Sequence, residues 1–209
     1  MRRCALPELI KAVERGEAFS FTSWGETEWG AILGRHRPRK EGVALGICLR
    51  SILLSSPPYL LGMDYASLKP FRGAVERWLT ANSLWQLDWV DGSILTDASD
   101  DFGDFLEVVR KRRPIVVGPP SSRESHDIFH GREFVLLPPK NRHLAVPDIS
   151  RDILAAVERI RRPCPIVIEA GSSSKSIIGS LYPRIGEKWT LWEHRPHSAG
   201  SFGKSRHFG

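Results

Sequence analysis

Apolar positions recur along this chain with two alternating periods. Leu6, Leu9, Ile10 and Val13 share one helical face opened by Pro7 and closed by Gly16, so residues 7–15 read as a helix. Phe19, Phe21 and Ser23 then alternate as a short strand that Gly25 breaks, and residues 26–33 read as the first turns of a second helix. After a loop from Gly34 to Lys40, residues 43–54 form a rather apolar helix stopped by Pro57-Pro58, and 59–62 a short buried strand. Residues 71–81 are helical with Val75, Trp78 and Leu79 inward, and 85–90 alternate as a strand would. Helix 102–111 starts acidic and ends basic, which complements its dipole. That explains Asp100, Asp101 and Asp104 without assigning them to catalysis.

The second half repeats the theme. Residues 114–118, 134–137 and 165–169 are continuous apolar runs of the kind found in buried parallel strands. Between them, Ile149, Ile153, Leu154, Val157 and Ile160 make a helical stripe closed by Arg161-Arg162-Pro163. A helix running to Leu181 and a last strand at 189–192 follow. Strands alternating with helices predict an α/β fold, a Rossmann-like three-layer sandwich with a mostly parallel sheet. No linker or repeat divides it, so residues 1–209 read as one domain, with 194–209 a basic, acid-free tail.

Composition narrows the function classes. The 209 residues can enclose a full core, and 41% hydrophobic content argues against disorder. A net charge of +6 and a pI near 9.5 favour anionic ligands. The basic residues fall in short clusters, at 35–40, 110–113, 161–162 and 204–206, that read mainly as solvated faces and helix C-termini. Seven Trp could stack on bases, but most sit in apolar patterns, and no nucleic-acid recognition motif is present, which argues against that class. Three scattered Cys have neither disulfide nor metal spacing. With no signal peptide and no bilayer-length apolar run, a cytoplasmic setting is expected.

Candidate chemistry sits at strand ends. Glu26 and Glu28 follow Gly25 at a strand-to-helix turn, where open α/β sheets place their sites, although carboxylates there also serve as plain caps. Gly171-Ser172-Ser173-Ser174-Lys175 has the make-up of a phosphate cradle: a strand ends, a glycine turns the backbone, and hydroxyls and amides meet at a helix start. The P-loop and dinucleotide spacings are absent. The loop from Gly118 to Arg123 is a second such strand end, and Lys204 and Arg206 could close over a diphosphate. Two carboxylates with hydroxyls and cations suit a nucleotide diphosphate with a divalent metal, Mn²⁺ or Mg²⁺.

At this point the chain resembles a known family. Phe21-Thr22-Ser23-Trp24-Gly25-Glu26-Thr27-Glu28-Trp29 is similar to the Arg-Phe/Tyr-Gly-Asp-Gly-Glu segment of glycosyltransferases with the GT-D fold, in which an Asp-x-Glu motif serves metal and nucleotide-sugar binding. Tyr59 to Gly62, Val116 to Pro120, Val135 to Pro138, Ala170 to Lys175, Leu181 to Pro183 and Gly203 to His207 follow in the family's order. Here the motif aspartate is Glu26 and its glycine Thr27, and Trp192-Glu193-His194-Arg195 stands where the family often has Asp-Xaa-Gly-Ser. The resemblance implies a metal-assisted glycosyltransferase using a nucleotide sugar, such as a UDP-sugar, and a hydroxyl acceptor. Glu26 and Glu28 would hold the metal or donor. Gly25, Gly118, Gly171, Ser172, Ser173, Ser174, Lys175, Lys204 and Arg206 would line the donor site, and Glu169 or Asp88 would activate the acceptor. Glu28→Gln is then expected to abolish turnover with little loss of stability. The alternatives are a metal-free sugar-phosphate or nucleotide domain of isomerase type, or a catalytically degenerate relative.

Overall fold

The structure, a computed structural model, describes residues 6–35, 40–96, 101–139 and 142–194. Seven strands form a single sheet in which every pairing is parallel: β1 (Ser20–Trp24), β2 (Leu60–Met63), β3 (Trp89–Asp91), β4 (Ile115–Gly118), β5 (Glu133–Leu136), β6 (Ile166–Ile168) and β7 (Leu191–Glu193). Their spatial order is β3-β2-β1-β7-β6-β4-β5. The helices are α1 (Leu6–Arg15), α2 (Glu26–Ile32), α3 (Lys40–Leu54), α4 (Arg72–Ala81), α5 (Phe102–Lys111), α6 (Arg123–Ile128), α7 (Val146–Ile160) and α8 (Ser173–Ile185). The expected single α/β domain with three layers is what the described residues form.

Strand alternation divides the interior into two cores. Ile115, Val117, Ile166, Ile168 and Leu191 face the larger one, with α2, α3, α4, α7 and α8. Phe21, Val116, Val167 and Trp192 face the smaller one, with α1 and α5. The direction of travel explains this partition. The crossovers through α2–α3, α4, α7 and α8 all step toward the β3 edge, and all lie on the larger-core face. Those through α5 and α6 step toward the β5 edge, and Phe102, Phe105 and Phe129 from those segments lie in the smaller core. A single crossover hand requires that correlation.

Five of the seven Trp are buried: Trp24, Trp29, Trp89, Trp189 and Trp192. Trp29 alone meets Trp24, Trp78 and Trp89 at ring separations of 6.2, 5.9 and 6.2 Å. They are packing residues, as their apolar surroundings in the sequence indicated.

Three local expectations change. The strand expected over 85–90 is only β3, because the preceding backbone is committed to turns: Leu84 N–H bonds Leu79 C=O and Leu87 N–H bonds Leu84 C=O, leaving Trp85 41% exposed. Helix α6, Arg-Glu-Ser-His-Asp-Ile, has too few apolar residues to show a period. Helix α8 continues past Leu181 to Ile185 with Pro183 inside it. The basic run at 36–39, the acidic run at 97–100 and the tail from residue 195, with Lys204 and Arg206, lie outside the described residues.

Helix α3 reaches α2 at Gly46, where an added Cβ would lie 2.4 Å from the carbonyl oxygen of Ala31. Backbone cannot rotate away as a side chain can, so Gly46→Ala should destabilise the protein by about 1–3 kcal/mol, read as a lower urea midpoint at unchanged slope.

Candidate functional site

The carboxyl ends of β1, β6 and β7 bring three chain segments together. Gly25 caps α2, and Glu28, in the first turn, reaches back so that its Oε2 accepts the Gly25 N–H at 3.0 Å, a capping-box return. After β6, Gly171 adopts φ +58° and turns the chain into α8. Ser172 Oγ donates to Glu28 Oε1 at 2.7 Å, and Lys175 Nζ donates to the same oxygen at 3.1 Å. Lys175 Nζ also reaches Glu193 Oε1, at the end of β7, at 2.5 Å. The other Glu193 oxygen accepts the backbone N–H of Ser23 at 2.8 Å. Ser174 does not face this cluster. Its hydroxyl accepts the Ala170 N–H at 3.2 Å and closes the turn locally.

The acidic turn near the amino terminus and the serine-lysine turn late in the chain therefore meet, through Glu28, Ser172 and Lys175. The meeting point is dry: Lys175 is 0%, Glu28 1% and Glu193 3% exposed. Two carboxylates surround one ammonium, and the formal excess of negative charge faces peptide N–H groups and the first turn of α2, both of which favour it. Glu26 differs, standing exposed at the start of α2. Residues two apart on a helix point away from one another, so Glu26 and Glu28 do not converge.

That geometry bears on the metal the resemblance implies. Each oxygen of Glu28 and Glu193 already accepts a hydrogen bond, and a fully buried ammonium fills the space between them. Among the described residues no group of three or more His, Cys, Asp or Glu side chains is arranged to hold a metal. The residues present do not make a resident divalent-cation site of Glu26 and Glu28.

A second cluster occupies the smaller-core side of the same edge. Glu169, just after β6, is 4% exposed, and His194, just after β7, places Nε2 3.8 Å from Glu169 Oε1. Burial pushes the Glu169 carboxyl above its ordinary range, while Ser122 and Ser125 pull it partly back. Phe102 stacks on the His194 ring, and Phe129 and Trp192 flank it. An added Cβ on Gly118 would lie 2.3 Å from Ser122 Oγ, so that glycine serves close packing of the loop after β4. Asp88, the other acceptor-base candidate, precedes β3 at the amino edge of the sheet, away from these groups.

The three carboxylates expected in catalysis are thus divided: Glu26 at the surface, Glu28 under the larger-core side, Glu169 under the smaller-core side. Sequence reasoning missed Glu193 and His194 as members of these clusters. Their signal was present, since an acid and a histidine directly end the last strand.

No protein-family profile and no curated protein matches the sequence. Solved structures do match. A glycosyltransferase from Streptococcus sanguinis carrying DUF1792 superposes with a TM-score of 0.60 at 13% identity, covering 91% of this chain and 79% of its own. A structure of the conserved domain of unknown function 1792, described as having a distinct glycosyltransferase fold, gives 0.59 at 15% identity, with 91% and 76% covered. The chain has the fold of these proteins.

Burial overturns the expectation that Glu28→Gln spares stability. Its amide would turn a donor toward the Gly25 N–H or toward Ser172 and Lys175. Lys175→Met, which leaves Glu28 and Glu193 facing each other without a cation, should cost about 3–5 kcal/mol in chemical denaturation, and adding Glu193→Gln should recover part of that loss. Glu169 gives a separate signature. Its folded-state affinity for a proton is raised above the ordinary value of 4.5, so its contribution to stability is full below that pH and is lost as pH rises through the raised value. Glu169→Gln should flatten the stability–pH curve over that window.

Proposed function

We propose that this protein is a glycosyltransferase that takes a sugar from a nucleotide-activated donor, a UDP-sugar being the first to test, and passes it to a hydroxyl acceptor. The observation that carries this reading is the junction of the β1–α2 and β6–α8 turns at the carboxyl edge of an all-parallel sheet whose fold is that of the glycosyltransferases above. Open α/β sheets bind ligands at that edge, and α8 is long enough for its first-turn amides to attract an anion.

In this reading the donor diphosphate lies over Gly171, Ser172 and Ser173. Gly171 is exposed, and an added Cβ there meets nothing within 4 Å, so the approach to the turn is open. Lys175, buried between Glu28 and Glu193, does not meet the diphosphate; it fixes Glu28, which in turn holds the Ser172 hydroxyl of the turn. No resident metal is needed for this role. A divalent ion arriving with the diphosphate would find Glu26 as the exposed carboxylate beside it. Glu169, whose proton affinity burial has raised, takes the acceptor hydroxyl's proton and becomes neutral as the acceptor oxygen bonds the sugar carbon and the nucleotide diphosphate leaves; His194 lies 3.8 Å from it.

The burial of Glu28 favours a second reading, in which the cluster only shapes the edge and the protein binds a sugar phosphate without transferring it. Thermal-shift measurements separate the two. UDP and UDP-sugars should raise the melting temperature in EDTA, by mass action on the folded state. Gly171→Asp, which places a carboxylate at an open left-handed position, should abolish that shift. Stabilisation by simple sugar phosphates but by no nucleotide would select the binding domain instead.

A further inference from the structure

Helix α8 has a second polar-to-apolar boundary, one residue beyond Lys175. From Ser176 onward it forms the floor of a cavity of about 620 Å³ walled by α3, by the start of α7 and by the segment before β2. That volume falls within the range of pockets that hold small organic ligands, about 300–1,000 Å³.

Three features of this cavity specify what it would hold. First, none of its sixteen lining residues is Asp, Glu, Lys or Arg, in a chain where 26% of residues are charged. Apart from His143, no lining side chain could supply a counter-charge to an ionic ligand desolvated there. Second, three of its polar groups lack partners among the described residues, whereas Ser51, Ser55, Ser180 and Tyr182 are already hydrogen-bonded. Tyr59, only 4% exposed, has a hydroxyl with no hydrogen-bond partner among the described residues, and the same holds for Ser176 Oγ and His143 Nε2. Unpartnered buried groups are rare in folded proteins and ask for a ligand atom or water. Third, α8 presents no side chain to the Tyr59 hydroxyl at Gly179. At Gly179 an added Cβ would come within 3.8 Å of the Tyr59 hydroxyl and 3.6 Å of Ile52. Pro183, four residues on, has no N–H to give the Gly179 carbonyl, so that acceptor lacks its helical donor.

Much of the remaining wall is apolar, broken by Ser51, Ser55 and Ser180. Pro58, Val146 and Pro147 contribute to it, and Tyr182 is fixed by donating its hydroxyl to the Pro58 carbonyl at 3.1 Å. Ile47 stands 58% exposed at the rim. Burial and the nearby Glu193 charge push the Tyr59 pKa further up, which keeps its hydroxyl a neutral donor.

We propose that this cavity binds a neutral, chain-like lipid that carries a hydroxyl or carbonyl group to the Tyr59 hydroxyl. Its chain runs along α8 between α3 and α7, and its polar end meets Tyr59 and Ser176. Its binding does not rest on the transferase reading.

The test uses the purified full chain and Nile red, a neutral dye whose emission shifts to the blue in apolar surroundings. The wild type should bind it at micromolar concentration and release it to 1-dodecanol but not to the dodecanoate anion at matched concentration. Gly179→Leu, which places a side chain beside the Tyr59 hydroxyl, should weaken dye binding at least tenfold. Ile47→Glu, a surface change at the rim, should do so severalfold with an unchanged melting temperature. Absence of dye binding by the wild type, equal binding by both variants, or displacement by the anion as readily as by the alcohol would overturn the proposal. So would a concentration-dependent dimer that Ile47→Glu abolishes, which would give this face to a second copy of the chain. None of these readouts depends on nucleotide-sugar turnover.

Discussion

The ammonium group of Lys175, enclosed between Glu28 and Glu193, joins the two halves of the sheet. Strands β3, β2 and β1 form one half and β7, β6, β4 and β5 the other, and they meet only at the β1–β7 pair. That pair registers just Ser20 with Leu191 and Phe21 with Trp192. Two residues further along β1, the Ser23 N–H is taken by a side chain, Glu193 Oε2. The carboxylate thus prolongs a ladder that the strands do not complete, and Lys175 ties that carboxylate to Glu28 and so to the cap of α2. An apolar trio of the same volume could fill the space, but it could not accept the N–H groups of Ser23 and Gly25. The ion cluster is favoured here because backbone donors at a sheet seam need acceptors.

The same strand alternation that built two cores separates two kinds of chemistry. Glu193 and His194 are adjacent in sequence, yet one joins the lysine on the larger-core side and the other joins Glu169 and the aromatics on the smaller-core side. A cation held between carboxylates is suited to fix charge. A carboxyl buried beside a histidine and two serines, with its proton affinity raised, is suited to exchange a proton. Two adjacent strand ends thus present a charge cluster and a proton-exchanging carboxyl across a single sheet edge.

The sequence made the architecture legible because a parallel sheet buried on both faces leaves continuous apolar runs, as in Ile115 to Val117 and Ile166 to Ile168, and these survive any change of site chemistry. It also revealed the two turns that carry Glu28 and Lys175, since glycine and serine at strand ends are dictated by backbone geometry. It did not reveal how the charges pair. The capping-box spacing from Gly25 marks Glu28 locally, but its burial is set by how α2 meets α8. Glu193 gains its role only through β7's place beside β1, a contact between residues 170 positions apart at Ser23. Reading Trp192-Glu193-His194 as a departure from a family pattern hid the fact that it supplies the partner Lys175 requires.

Helix α8 shows how one element can serve unlike surroundings. Its first turn is polar because it faces the charged seam, and Lys175 there opposes the helix dipole, a placement tolerated only because two carboxylates meet it. One residue on, the helix faces an uncharged cavity, and it carries Gly179 and Pro183, both poor helix residues. Neither is required to pack α8 on the sheet, where Ile177, Ile178 and Leu181 do that work at full burial. Both weaken the helix beside an unpartnered Tyr59 hydroxyl, where the proposed ligand, rather than the packing of α8 on the sheet, would give them a use.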